Sequence, residues 1–288
     1  MNRRKLLRDK ILDGEYKLTL DEVQVNDDQS RRMLQLTEQI MASPSTQTFL
    51  VLEESVLATG KLISTGKLPA FNHLFKAPFT SFVVEEVFHG GTYMHVGFVI
   101  PREAAAVLIP GVMAHAPVDV SARLIAYVSW VDYPEKKCAH LVPAQQYLWE
   151  TDLNQTACTQ MPSIFPDDPQ MLGSMAQSCS WTMRVLFTML NVKNATAFEN
   201  VEVPAGLAEA KAKRGKPALC AYTYVHLLPG AETHHNPSNS TTAVAIRAAH
   251  VRRGHFKHLP SGAHWWNAHV VGQGAPQVRK AYVVGDAR

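Results

Sequence analysis

The sequence has no long apolar run, no paired cysteines and no complete catalytic motif, and each gap removes a class of protein. None of its 288 residues belongs to a stretch approaching the roughly 18–20 consecutive apolar side chains that span a bilayer, so no membrane partner is expected. The basic start, Met1 to Lys10, has no apolar segment behind it, so no secretory signal is expected there. A short basic amphipathic helix is expected there instead. The four cysteines, Cys138, Cys158, Cys179 and Cys220, are scattered with no C-x-x-C pair. That spacing argues against a zinc cluster and against a disulfide framework, leaving free thiols in a reducing cytoplasm as the expectation. The chain contains no G-x-S-x-G elbow, no H-E-x-x-H, no G-x-x-x-x-G-K-[ST] and no dinucleotide fingerprint, so no cofactor is expected. Of the acidic pairs, only Glu85-Glu86 falls in a predicted strand, where neighbours point to opposite faces and cannot share a metal.

One charge sign is missing where the other is dense. Between Arg247 and Lys280 there are six Lys or Arg side chains, five histidines and the pair Trp265-Trp266, but no Asp or Glu. The whole chain nets only +3, so this excess marks a surface suited to an anion, foremost DNA or RNA. Arg252, Arg253 and Lys257 are the expected phosphate contacts, and Trp265 or Trp266 the expected stacking platform. A second cluster, Lys211, Lys213, Arg214 and Lys216, extends the patch if it packs beside the first. As a plain structural feature, the same cluster is a lysine-rich helix end favoured by the helix dipole.

Seven of the thirteen histidines lie between His234 and His269. A metal held by His234-His235 with His250 or His255 fits imidazole chemistry, but adjacent histidines rarely converge on one ion, and no metal is expected. His250 and His255 beside Arg252 or Lys257 have the residue types for metal-independent cleavage of RNA or DNA by general acid–base chemistry. They are therefore the candidate catalytic residues, with a simple basic surface as the alternative.

The periodicity predicts an α+β chain: helices at the N-terminal end, a mainly antiparallel sheet, and a basic C-terminal β-ribbon. Ser30 to Met41 reads as a helix closed by Pro44, and Thr48 to Leu57 as a second, because Glu53-Glu54 favours helix over strand. Thr80 to Phe88 and Tyr93 to Ile100 form a hairpin through Gly90-Gly91, followed by strand in Val118 to Tyr133. Pro169 to Asn191 is the clearest helix, capped by Asp168, with Leu172, Met175, Ala176, Cys179, Met183, Leu186, Phe187 and Leu190 on one core-facing stripe. A short strand at Val201 to Val203, a basic helix at Gly206 to Arg214 and a strand at Leu219 to Leu228 follow. Gly230 to Thr242 reads as a loop, Val244 to Leu259 with Ala263 to Val271 as a hairpin about Pro260-Ser261-Gly262, and Val278 to Val284 as a last strand. Within that hairpin His250, Arg252 and His258 share one face, and Arg253, His255 and Lys257 the other, unless Gly254 is a bulge. A single domain over 1–288 is expected, with a possible subdivision near 152–168, a Pro-containing stretch that reads as a linker or long loop.

Arg214-Gly215-Lys216-Pro217 precedes the Leu219–Leu228 strand, His250-Val251-Arg252-Arg253-Gly254-His255-Phe256-Lys257 and the Pro260-Ser261-Gly262 turn. Val270-Val271-Gly272 and Lys280-Ala281-Tyr282-Val283-Val284 complete the series. This order resembles a group of proteins, without assigned activity, encoded by tailed bacteriophages and related mobile elements. In that group a K-x-R-G-K-x-P stretch precedes an H-x-R-R-G-H-x-R/K hairpin. The resemblance spans about the last eighty residues, and His258 stands where a second arginine is common. It implies a phage-encoded accessory protein of the host cytoplasm and assigns no catalytic residue. A protein-binding inhibitor of a host factor, or a virion component, fits the same context without nucleic acid.

Overall fold

A computed structural model describes residues 5–64, 77, 79–88, 90–116, 121–150, 156–162, 169–191, 196–227, 250–252, 255–259, 262–266 and 269–271. The architecture is α+β, and its centre is the antiparallel hairpin of β3 (Ser81–Phe88) and β4 (Gly91–Ile100), where Phe88 pairs with Gly91. Both faces of this hairpin are buried, because helices cover the sheet on either side. Around it lie β2 (Gln47–Leu52), β5 (Leu124–Tyr133), β6 (Cys138–Trp149) and β9 (Tyr222–Leu227). Adding β1 (Lys17–Thr19), β7 (Thr156–Gln160) and β8 (Thr196–Val201) makes nine strands in the order β1-β6-β5-β4-β3-β2-β9-β8, with β7 on β6. Pairing is mainly antiparallel; β1–β6, β2–β3 and β2–β9 are parallel.

Side-chain alternation sorts the core. Phe82, Val84, Tyr127 and Leu148 face α5 (Pro169–Asn191), whose Met183, Leu186 and Phe187 pack on them together with Val56 of α3 (Glu53–Ser64). Val83, Met94, Val96 and Trp130 face the other way, against Leu7 of α1 (Leu7–Leu12) and Ile40 and Met41 of α2 (Asp28–Ala42). Farther along that second face, α4 (Arg102–Leu108) buries Ala105 against Leu124, Tyr147 and Trp149. Two glycines permit close approach. A Cβ on Gly97 would stand 2.4 Å from the Ala126 carbonyl oxygen and 2.6 Å from Phe82, and one on Gly60 would stand 2.8 Å from the Trp181 ring where α3 meets α5.

Several expectations change. Thr48 to Leu52 is strand, not helix: the segment runs in the interior between β3 and β9, and helix begins only at Glu53. Gly91 itself belongs to β4, so the hairpin loop is shorter than expected. Part of the proposed linker, Thr156 to Gln160, is β7, hydrogen-bonded to β6. β6 and α4 are further elements in stretches given no assignment from the sequence, and β1 is a strand within the N-terminal part expected to be helical. Pro143 lies inside β6, where the pairing with β5 shifts between Val128 and Trp130, an irregularity that suits a residue with no N–H to donate. The Asp168 cap, the Gly230–Thr242 loop and the Val278–Val284 strand lie outside the described residues.

Candidate nucleic-acid interface

Among the described residues, the C-terminal ribbon forms as two short ladders that do not join the nine-stranded sheet. In one, β10 (His250–Arg252) pairs with β13 (His269–Val271); in the other, β11 (His255–Leu259) pairs with β12 (Gly262–Trp266). His250 lies opposite Val271, and five residues later His255 lies opposite Trp266, five residues back on the return strand. The two ladders therefore keep one register, while Gly254, considered as a bulge, lies outside the described residues.

The register decides which candidate residues meet. Lys257 is opposite His264, and His255 opposite Trp266, so these four positions share one face of the β11–β12 ladder. Phe256 and Trp265 are partners on the other face, which separates the two tryptophans. The Lys257 ammonium lies 3.6 Å from the centre of the Trp266 ring, a cation–π arrangement, and Trp266 is 43% exposed. Arg252 is opposite His269 in the other ladder. Arg253 lies outside the described residues. His250 and His255 sit in different ladders with different partners, so the register does not bring the two candidate catalytic histidines together. It brings His264 to the Lys257 face instead, a partner that only strand register reveals.

The second basic cluster is tied to another part of the chain. It lies on α6 (Ala205–Lys213) and the turn after it, where Gly215 adopts φ +60° and the Lys216 amide donates to the Lys211 carbonyl. Lys211 pairs with the Asp13 carboxylate, which Lys5 also holds at 3.0 Å, while the Lys216 ammonium donates to the Asp13 carbonyl at 3.3 Å. Lys213 and Arg214 are exposed. Among the described residues the cluster is anchored to the turn after α1, and no bond joins it to the ribbon.

Two further features escaped sequence reasoning. On the α5 side of the sheet is a buried polar chain. The Ser129 hydroxyl is 2.8 Å from His95 Nδ1, Tyr127 donates to Gln146 at 3.0 Å, and Thr182 donates to Glu86 at 2.6 Å. Glu86 in turn stands 3.9 Å from His95 Nε2. Cys179, on the stripe expected to be purely core, bonds to Ser129 and Gln146. Burial pushes its thiol above the ordinary value, so it stays protonated near neutral pH and is a poor nucleophile. The second feature is a cleft of about 1220 Å³ beside α2, floored by Phe98, Ile100 and Tyr147. It touches four consecutive residues of β7, Ala157 to Gln160, and so runs along that strand's edge, because one face alone would expose alternate residues. Its lining comes from five separate stretches of chain, which no local motif encodes.

No protein-family model, curated protein or solved structure matches this chain. Among the described residues, no group of three His, Cys, Asp or Glu side chains is placed to hold a metal ion, and no helix is long and apolar enough to cross a membrane.

Proposed function

We propose that this chain is a nucleic-acid-binding accessory protein of the phage type, acting in the host cytoplasm and gripping its ligand through the C-terminal ribbon. The observation that carries this reading is the Lys257 ammonium set against the partly exposed Trp266 indole, on a ladder outside the main sheet. A cation beside a flat aromatic surface matches the two parts of a nucleotide, phosphate and base. Arg252 and Arg253 supply further phosphate contacts along the same hairpin. The exposed Lys213 and Arg214 offer a second, separate cationic point. The phage setting rests on the order of the Arg214–Pro217, His250–Lys257 and Lys280–Val284 segments. The register lends no support to a nuclease using His250 with His255.

Titrating the purified protein into labelled DNA and RNA oligonucleotides between 50 and 200 mM salt tests the proposal. Affinity should fall linearly on a log–log plot as counterions are released, and Lys257→Ala should lower the slope by about one. Binding that ignores salt, or none to any oligonucleotide, rejects the proposal.

A further inference from the structure

We infer that the ribbon selects single-stranded over duplex nucleic acid, with Trp266 as the stacking surface; this rests on the nucleic-acid reading above. Three observations lead there. First, the register sets position 265 opposite Phe256 and position 266 opposite His255, so the two positions fall on opposite faces of the β11–β12 ladder. Second, of the tryptophans whose side chains are described, Trp130 and Trp149 are buried and Trp181 packs against the core, whereas Trp266 is exposed. Third, Lys257 lies on the Trp266 ring and is the one Lys or Arg in the paired residues of this ladder.

A base inside a duplex has both faces covered by its neighbours. To stack on an indole it must first leave the helix, which costs unpairing and unstacking. An unpaired base has no such cost, and every base offers a π-face, so stacking on Trp266 favours single strands without requiring a particular sequence. Charge does not reverse that preference. Duplex DNA carries one charge per about 1.7 Å of axis, and a long row of cations would be needed to exploit it, whereas the paired residues of this ladder include one ammonium, that of Lys257. The flexible stem of Lys257 lets the ammonium fix the indole in the free protein and move to a neighbouring phosphate when a base takes its place on the ring.

The test is fluorescence anisotropy of end-labelled oligo-dT, oligo-U and a mixed-sequence duplex of equal length, with the full chain at one low salt concentration. At least one single strand should bind about tenfold or more tightly than the duplex, and oligo-dT, oligo-U or both count equally as support. Trp266→Ala should weaken single-strand binding about five- to hundredfold and so shrink its advantage over the duplex, while Trp266→Phe, which keeps an aromatic face, should stay within a few-fold of wild type. Duplex binding as tight as single-strand binding, or Trp266→Ala binding as well as wild type, overturns the inference and leaves the broader proposal standing. Failure of all three probes to bind removes both.

Discussion

Arg8 belongs to a basic N-terminal segment expected to form a short amphipathic helix, and it is almost fully buried. Its guanidinium donates to the Met41 carbonyl at 2.9 Å and also reaches the Ser43 carbonyl and the Thr48 hydroxyl. It thus satisfies carbonyls at the C-terminal end of α2 that the helix itself cannot pair. Glu85 does the reciprocal job for α1, accepting the Leu7 and Arg8 amides at 2.8 and 2.7 Å. The Asp9 carboxylate accepts the Cys220 amide at 3.0 Å. Arg8→Ala should cost about 2–4 kcal/mol in urea-unfolding free energy, since it strands buried acceptors and removes the charge facing Glu85 and Asp9. Full stability in that variant would show the contacts to be incidental.

Asp13 gives a pH prediction at the same scale. Burial alone would raise its carboxyl, but the hydrogen bonds from Lys211 and Lys5 outweigh it and hold the group below the usual carboxylate value. A depressed native value means the unfolded chain binds the proton first. The contribution is therefore complete above about pH 4 and lost as pH falls through the native value. Asp13→Asn should flatten the acid limb of a stability–pH curve and leave the shape near neutrality unchanged. An acid limb identical to wild type counts against this assignment.

At the scale of elements, the central strands were legible because they are long and β-rich, and α5 because its apolar stripe keeps a helical period. The Pro169–Asn191 bounds follow from sequence alone. β2 was misread because Glu53-Glu54 are local signals and burial between two strands is not. The two glutamates open α3 directly after the strand. β6 was missed because its residues are buried on nearly every side, which leaves little alternation to see, and Pro143 interrupts what remains. The packing here is tight enough to test. Gly97→Ala sets a methyl group against backbone at 2.4 Å and should destabilise by about 2 kcal/mol or more, whereas Gly111→Ala meets nothing within 4 Å and should be near neutral. Equal melting temperatures for the two variants would contradict the described packing of β4 on β5.

For the whole molecule, the distribution of charge matters more than its sum. The two basic clusters read as one patch in sequence, but the fold gives them different surroundings. One is fastened through Asp13 to the turn after α1, and the other lies on ladders separate from the large sheet. Lys211→Ala should accordingly lower stability with little effect on nucleic-acid affinity, and Lys257→Ala should do the reverse, as thermal melts and oligonucleotide titrations of each variant would show. The opposite pattern would place the binding surface on α6.

Sequence by itself determined the α+β character, the β3–β4 hairpin, the Pro169–Asn191 helix, the pairing of His255–Leu259 with Gly262–Trp266 and the opposed directions of Glu85 and Glu86. All of these follow from side-chain period or turn chemistry acting over a few residues. Only tertiary structure decided that Arg8 is interior, that Lys211 is neutralised, that Cys179 joins a polar chain with Ser129 and Gln146, and that Lys257 meets Trp266 and His264. Each of those depends on residues distant in sequence arriving at one place, and the register and burial that bring them there are properties of the assembled sheet.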